Sequence, residues 1–187
     1  MPLRVYIDTS ILGLVFDRPV PQGVAEAIGE LCDFQGVDFV TSSKTLQELL
    51  NHEDVQKRNL LKLIYRFMAK LPEAHLVRFV PSLFGAVLFG EATFGGEAER
   101  ADPLFPALNT IFDRDDAEHI LPALKGNCGF FLTLDSKTIL SRARRYADRL
   151  QTVCAELSFV SPKELVTILR DRGHDAKRRD QQGCNQP

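Results

Sequence analysis

No run in this 187-residue sequence approaches the roughly 18 consecutive apolar residues that a membrane span needs. Nor does the chain start with a charged region followed by an apolar segment, so no secretory leader and no membrane partner are expected. Cysteine is sparse and scattered, at positions 32, 128, 154 and 184. None forms a CxxC pair and none has a histidine at zinc-ligand spacing, which argues against a zinc site. Free thiols in a reducing cytoplasm are the expected setting. Positive charge is not in excess, with a formal net charge of -2. A nucleic acid would therefore have to meet a local basic patch, because phosphate contacts need clustered Lys and Arg. Tyr6, Tyr65 and Tyr146 give little sign of a base-stacking platform.

What is present fits one globular domain with a substantial core: 44% hydrophobic and 26% charged residues are ordinary values. Val5, Tyr6 and Ile7 are β-branched or aromatic with no turn former among them, which predicts a short buried strand ending at Asp8. Residues 24 to 34 have helical spacing, and Gly36 separates them from a second strand over 37 to 41. Ser42, Ser43 and Thr45 are N-cap candidates for a helix carrying Leu46, Leu49 and Leu50. An amphipathic helix is expected from Val55 to Leu71, closed by Pro72. The order strand, helix, strand, helix predicts an α/β fold built on a parallel sheet of four to five short strands flanked by helices.

Residues 76 to 80 read as another extended piece, and 82 to 106 as an irregular insertion in a domain spanning 1 to 170. Order returns at Asp113, where Asp113, Asp115 and Asp116 favour the positive end of a helix. That helix buries Ala117, Ile120, Leu121 and Leu124, is bent by Pro122 and ends at Gly126. GFFLTL (129–134) predicts a core strand ending at Asp135, followed by a helix over 136 to 150 and a strand over 157 to 160. Ser161, Pro162 and Glu164 form a capping-box start for a last helix to Arg170. Residues 171 to 187 are polar without an apolar period and are expected to be a flexible tail.

Parallel strands end on one edge of the sheet, where open α/β sheets hold their ligands. Asp8, Asp116 and Asp135 are therefore expected to converge from opposite ends of the sequence. Two carboxylates about 4 Å apart repel by roughly 1 kcal/mol in water and about 4 at an effective dielectric near 20. Such a group raises its own pKa values or demands a cation. Oxygen ligands without His or Cys suit Mg²⁺ or Mn²⁺, and such ions activate water toward a phosphodiester. Taken singly, each acid has a plainer role: Asp8, Asp116 and Asp135 as helix caps or turn residues, with Asp115 competing, and Glu48 as solvated surface. His52 and His119 read as structural or exposed.

VYIDTSIL, TLQEL, DAEHI, FLTLDSK and FVSPKEL resemble, in order, pieces of the PIN-domain ribonucleases, which include the toxins of VapBC-type toxin–antitoxin pairs. That resemblance implies a PIN-like fold and a metal-dependent endoribonuclease with RNA as substrate. It implies Asp8, Glu48, Asp116 and Asp135 as the catalytic acids, with Asp8, Asp116 and Asp135 at the metal. It also implies Thr9 or Thr133 as a hydroxyl holding a carboxylate or a water, an antitoxin partner if the chain is a toxin, and a homodimer. Pro122 and the long segment over 72 to 110 depart from the family pattern. Arg142, Arg145 and Arg149 recur at helical spacing after Asp135, with Lys137 and Arg144 nearby, and Lys137, Arg142 and Arg145 are candidates for holding RNA phosphates; the plainer reading is a solvated helix face.

Two other functions fit the residues less well. One is a PIN-like RNA-binding or scaffold module without useful catalysis. The other is a phosphatase using Asp8 as nucleophile, against which Ser10 stands where a second aspartate is usual. If repulsion dominates, neutralising Asp8 or Asp116 without metal leaves thermal stability unchanged or raises it.

Overall fold

Alternation along the first strand decides the layering. Val5 and Ile7 point to one side of β1 (Leu3–Ile7), and Tyr6 points to the other. The computed structural model describes residues 2–14, 20–51, 53–68 and 102–183. The expected extended piece at 76 to 80 and most of the expected insertion lie outside them. Among the described residues no helix is long and apolar enough to cross a membrane.

Four strands, β1, β2 (Val37–Val40), β3 (Phe130–Leu132) and β4 (Ser158–Val160), form one sheet in the order β2-β1-β3-β4. Every neighbouring pair is parallel, with Tyr6 opposite Val40, Ile7 opposite Leu132, and Leu132 opposite Val160. The molecule is thus an α/β protein with an all-parallel sheet, as the element order predicted. The register has a chemical consequence, because the residue after each strand is polar: Asp8, Thr41, Thr133 and Ser161. One edge of the sheet therefore collects acid and hydroxyl groups.

Helices cover both faces. On the Tyr6 face, α5 (Leu104–Asn109) and α6 (Arg114–Lys125) bring Phe105, Leu108, Ile120 and Leu121 against Tyr6 and Phe131. On the other face, α1 (Thr9–Gly13), α2 (Val24–Asp33), α3 (Ser43–Leu50), α4 (Val55–Met68) and α9 (Pro162–Gly183) supply Ile11, Leu31, Leu49, Leu61 and Leu165. Two helices, α7 (Ile139–Arg145) and α8 (Ala147–Val153), lead from β3 to β4.

Three local readings change. The helix expected over 136 to 150 is two helices, because Tyr146 between them leaves the helical region at φ -111, ψ 29. Residues 104 to 106, placed in an irregular insertion, begin α5 instead, and burial of Phe105 and Leu108 gives that short helix its reason to form. The tail expected from Asp171 continues α9 to Gly183; its charged residues are adequate helix formers and no proline intervenes. As read, α6 contains Pro122 and stops with Gly126 at its C-cap; the left-handed residue that follows is Asn127 (φ 52). Asparagine tolerates that conformation better than other residues with a Cβ. Gly36 (φ 79) meets the same demand in the turn before β2, where its carbonyl accepts Leu3 N–H at 2.8 Å.

The capping box forms as read. Glu164 Oε2 accepts the Ser161 N–H at 2.8 Å, and Ser161 Oγ faces the Glu164 N–H at 3.4 Å. Burial pushes the Glu164 carboxyl up, but the Ser161 donors and Arg144 outweigh it and hold it below the usual range. Ser161→Ala should cost about 1 kcal/mol, a fall in Tm of roughly 2–4 °C for a chain this size. Arg144→Ala removes only an exposed ion pair and should stay within about 0.5 kcal/mol of the parent. Thermal melts of both variants check this; equal losses would show that the ion pair, not the cap, holds the start of α9.

Candidate active site

The polar edge of the sheet is built around Asp8. Although Asp8 occupies the N-cap position of α1, its side chain makes no capping bond there. It is 6% exposed, and its Oδ2 accepts Ser10 Oγ at 2.6 Å and Thr133 Oγ1 at 2.7 Å. Those hydroxyls in turn accept the amides of the next loop: Ser10 Oγ takes Leu134 N–H at 3.1 Å, and Thr133 Oγ1 takes Asp135 N–H at 3.0 Å. A buried carboxylate thus organises the segment that carries the second acid. Strong acceptance from hydroxyls also stabilises an ionised group that burial would otherwise penalise.

Asp135 follows β3 and plays the turn role as well. Its Oδ1 accepts Lys137 N–H at 3.0 Å and Thr138 N–H at 2.8 Å, and its Oδ2 accepts Thr138 Oγ1 at 2.5 Å. Burial raises its carboxyl, but these donors prevail and hold it below the ordinary range.

Asp116 lies in the first turn of α6, half-buried, and differs from both. Among the described residues it receives no hydrogen bond and no ion pair. Burial raises its carboxyl first, and the negative charges of Asp135, Asp113 and Asp8 add to it, giving a pKa of about 6 against only a partial opposing effect of Arg142. Asp116 therefore senses the charge of the other two acids named from the sequence. Its neighbour Asp115 turns away, at 84% side-chain exposure, and pairs with Lys44 at 3.4 Å.

Glu48, on α3, is held on both oxygens: Oε2 accepts Thr9 Oγ1 at 2.6 Å, and Oε1 lies 2.8 Å from His119 Nε2. Burial pushes this carboxyl up, and His119, Thr9 and Lys44 together bring it below its usual value. Thr9 and Thr133 thus each donate to a carboxylate. His119, exposed only 4%, also meets the Tyr6 hydroxyl through Nδ1 at 3.0 Å. That hydroxyl lies 2.7 Å from Ser42 Oγ and 3.4 Å from Thr45 Oγ1, and burial raises its pKa further above the phenol range. Sequence reasoning gave His119 no task, took Ser42 and Thr45 only as N-cap candidates, and took Ser10 only as a departure from a phosphatase pattern. One signal was present: His119 stands three residues after Asp116, hence on the same face of α6.

The basic candidates are more dispersed. Arg142 pairs with Asp113 at 2.8 Å across the α6–α7 corner. Arg145 lies over the Tyr146 ring at 5.5 Å, with Arg149 on the same ring at 5.9 Å. Lys137 is exposed. His52 and Cys184 lie outside the described residues.

Oxygen donors only, and a half-buried Asp116 that lacks a donor and feels the charge of Asp135 and Asp8, are the chemistry a hard divalent cation takes. Yet among the described residues no three His, Cys, Asp or Glu side chains are gathered closely enough to enclose an ion. Glu48, with both oxygens engaged, fits less well as a direct ligand. Searches against protein-family models, curated proteins and solved structures find no match for this chain.

Proposed function

We propose that this chain is a PIN-like, Mg²⁺- or Mn²⁺-dependent endoribonuclease. Asp116 carries the proposal: a half-buried carboxylate, raised to about 6 by burial and by Asp135, Asp113 and Asp8, is only partly offset by Arg142 and calls for further positive charge. A divalent ion near Asp8, Asp116 and Asp135 would supply an activated water and offset the charge of a phosphodiester. The chain's own part is positional. Ser10 and Thr133 fix the Asp8 carboxylate, and the Asp8-anchored loop sets Asp135. Arg142, which pairs with Asp113 and acts on the Asp116 carboxyl, is a basic group at this edge suited to holding an RNA phosphate. A toxin role would add an antitoxin covering the edge, tested by co-expression with the product of the neighbouring reading frame.

Removing metal tests the reaction. RNA cleavage by the full chain should require Mg²⁺ or Mn²⁺, stop with excess EDTA and return on re-addition. Undiminished cleavage in EDTA would reject metal-dependent hydrolysis. A second reading, an RNA-binding module without catalysis, draws support from the absence of a closely gathered ligand trio among the described residues. Salt-sensitive RNA binding with no cleavage by either ion would select it.

A further inference from the structure

Beneath Glu48 runs a line of buried groups that the metal chemistry leaves unused: His119, Tyr6, Ser42 and Thr45. We infer that His119 is a positioning residue that aims the Glu48 carboxylate, so that Glu48 acts as a fixed hydrogen-bond acceptor toward substrate or attacking water and not as a metal ligand. The inference rests on the nuclease reading for its catalytic consequence, but its geometry stands apart from it.

Both oxygens of Glu48 are engaged, by His119 Nε2 at 2.8 Å and by Thr9 Oγ1 at 2.6 Å. An ionised carboxylate only accepts, so His119 Nε2 carries the proton. Behind it, the Tyr6 hydroxyl closes the Nδ1 side at 3.0 Å and is itself backed by Ser42 at 2.7 Å. Tyr6 donates to Nδ1 when the ring is neutral and accepts from it when the ring is charged. Nε2–H faces Glu48 in either state, so the aim does not depend on titration. The charged groups around Glu48 are Lys44 on its own helix and His119 on α6. Its side chain is 34% exposed, against 5% for His119. A long side chain at a partly open edge would otherwise sample several rotamers, and holding it from behind preorganises the acceptor. A buried hydrogen-bonded partner of this kind, a second layer behind a reacting group, typically changes activity about 10–100-fold when removed.

The test has a spectroscopic and a kinetic arm, both on the full chain. The chain has four histidines, so ¹⁵N-detected imidazole spectra of the metal-free protein are tractable. One ring should show a protonated Nε2 with a slowly exchanging proton, and Glu48→Ala should abolish that protection. An imidazole signal indifferent to Glu48→Ala would overturn the assignment. In cleavage assays His119→Ala should lower kcat about 10–100-fold with KM within about twofold, and His119→Gln, whose amide can still donate to Glu48, should recover most of it. In a Glu48→Gln background His119→Ala should have no further effect on kcat. Additive losses, or a glutamine variant as poor as the alanine one, would reduce His119 to a packing residue. Should His119→Ala fail to fold, Tyr6→Phe removes only the group behind Nδ1 and should lower kcat more weakly in the same direction; an unchanged kcat would count against the inference. If the parent cleaves no RNA, the nuclease reading fails and the imidazole spectrum alone decides the Glu48–His119 contact.

Discussion

Asp116→Asn is expected to lower RNA cleavage by about 10²-fold or more and yet to melt above the parent at pH 7 in the absence of divalent ions. Its carboxyl is half-buried and stands near 6, raised from 3.8 by burial and by three neighbouring acids. A folded-state pKa above the unfolded one means that the native state binds the proton more tightly. The stability this contributes is fully present below about pH 3.8 and is lost as pH rises through about 6. Two units correspond to a ceiling of about 3 kcal/mol, which solvent access to a half-exposed group reduces to about 1 kcal/mol. Asparagine imitates the protonated acid, so its advantage should grow from near zero at pH 4 to roughly 2–4 °C in Tm at pH 7. Added Mg²⁺ should narrow the difference, since the ion binds the parent more tightly and stabilises it by mass action. A variant melting below the parent across that pH range would make Asp116 a helix-start residue.

Asp8 should behave in the opposite sense on stability. Considered from sequence as one more repelling charge, it would be removed without cost. The geometry reverses that expectation for truncation. Asp8 Oδ2 anchors Ser10 and Thr133 at 2.6 and 2.7 Å, and through them the amides of Leu134 and Asp135. Hydrogen bonds to a charged group contribute about 1.5–3 kcal/mol each. Relief of repulsion and the Ser10–Thr133 contact at 3.2 Å offset part of this, so Asp8→Ala should lose about 2–4 kcal/mol, or roughly 5–10 °C in Tm. Asp8→Asn keeps a carbonyl acceptor in nearly the same volume and should lose less than half as much. Both should lower cleavage by about 10²-fold or more. Chelator-treated melts of the two variants, compared side by side, measure the difference. An alanine variant as stable as the parent would show that the loop after β3 does not depend on this carboxylate.

Asp8 and Asp135 stand out in the sequence because each sits where the apolar pattern of a strand breaks. Strand β1 ends at Asp8, and the core strand GFFLTL runs out at Asp135. Glu48 was the hardest of the four: its helical spacing pointed away from Leu46, Leu49 and Leu50, and nothing local announced Thr9 and His119 as its partners. His119 itself looked idle, because its partners are 71 and 113 residues away. Ser10 looked like a mere departure from a phosphatase pattern, yet it is one of the two donors to Asp8. The break at Tyr146 and the α5 helix were missed for a related reason: packing across the sheet settles them, with little preference in the local residues.

Periodicity along the chain, set by alternating burial in strands and by the 3.6-residue turn of helices, determined the α/β class, the parallel order and the acids at the strand ends. Those features depend on neighbours within a few residues, so they can be read in one dimension. The donors to Asp8 came from α1 and the end of β3, and those to Glu48 from α1 and α6, so they depended on how these elements pack around β1. Hydrogen bonds and charge act over a few ångströms in space, and only the folded chain brings Tyr6, Glu48 and His119, or Asp8 and Thr133, within that reach.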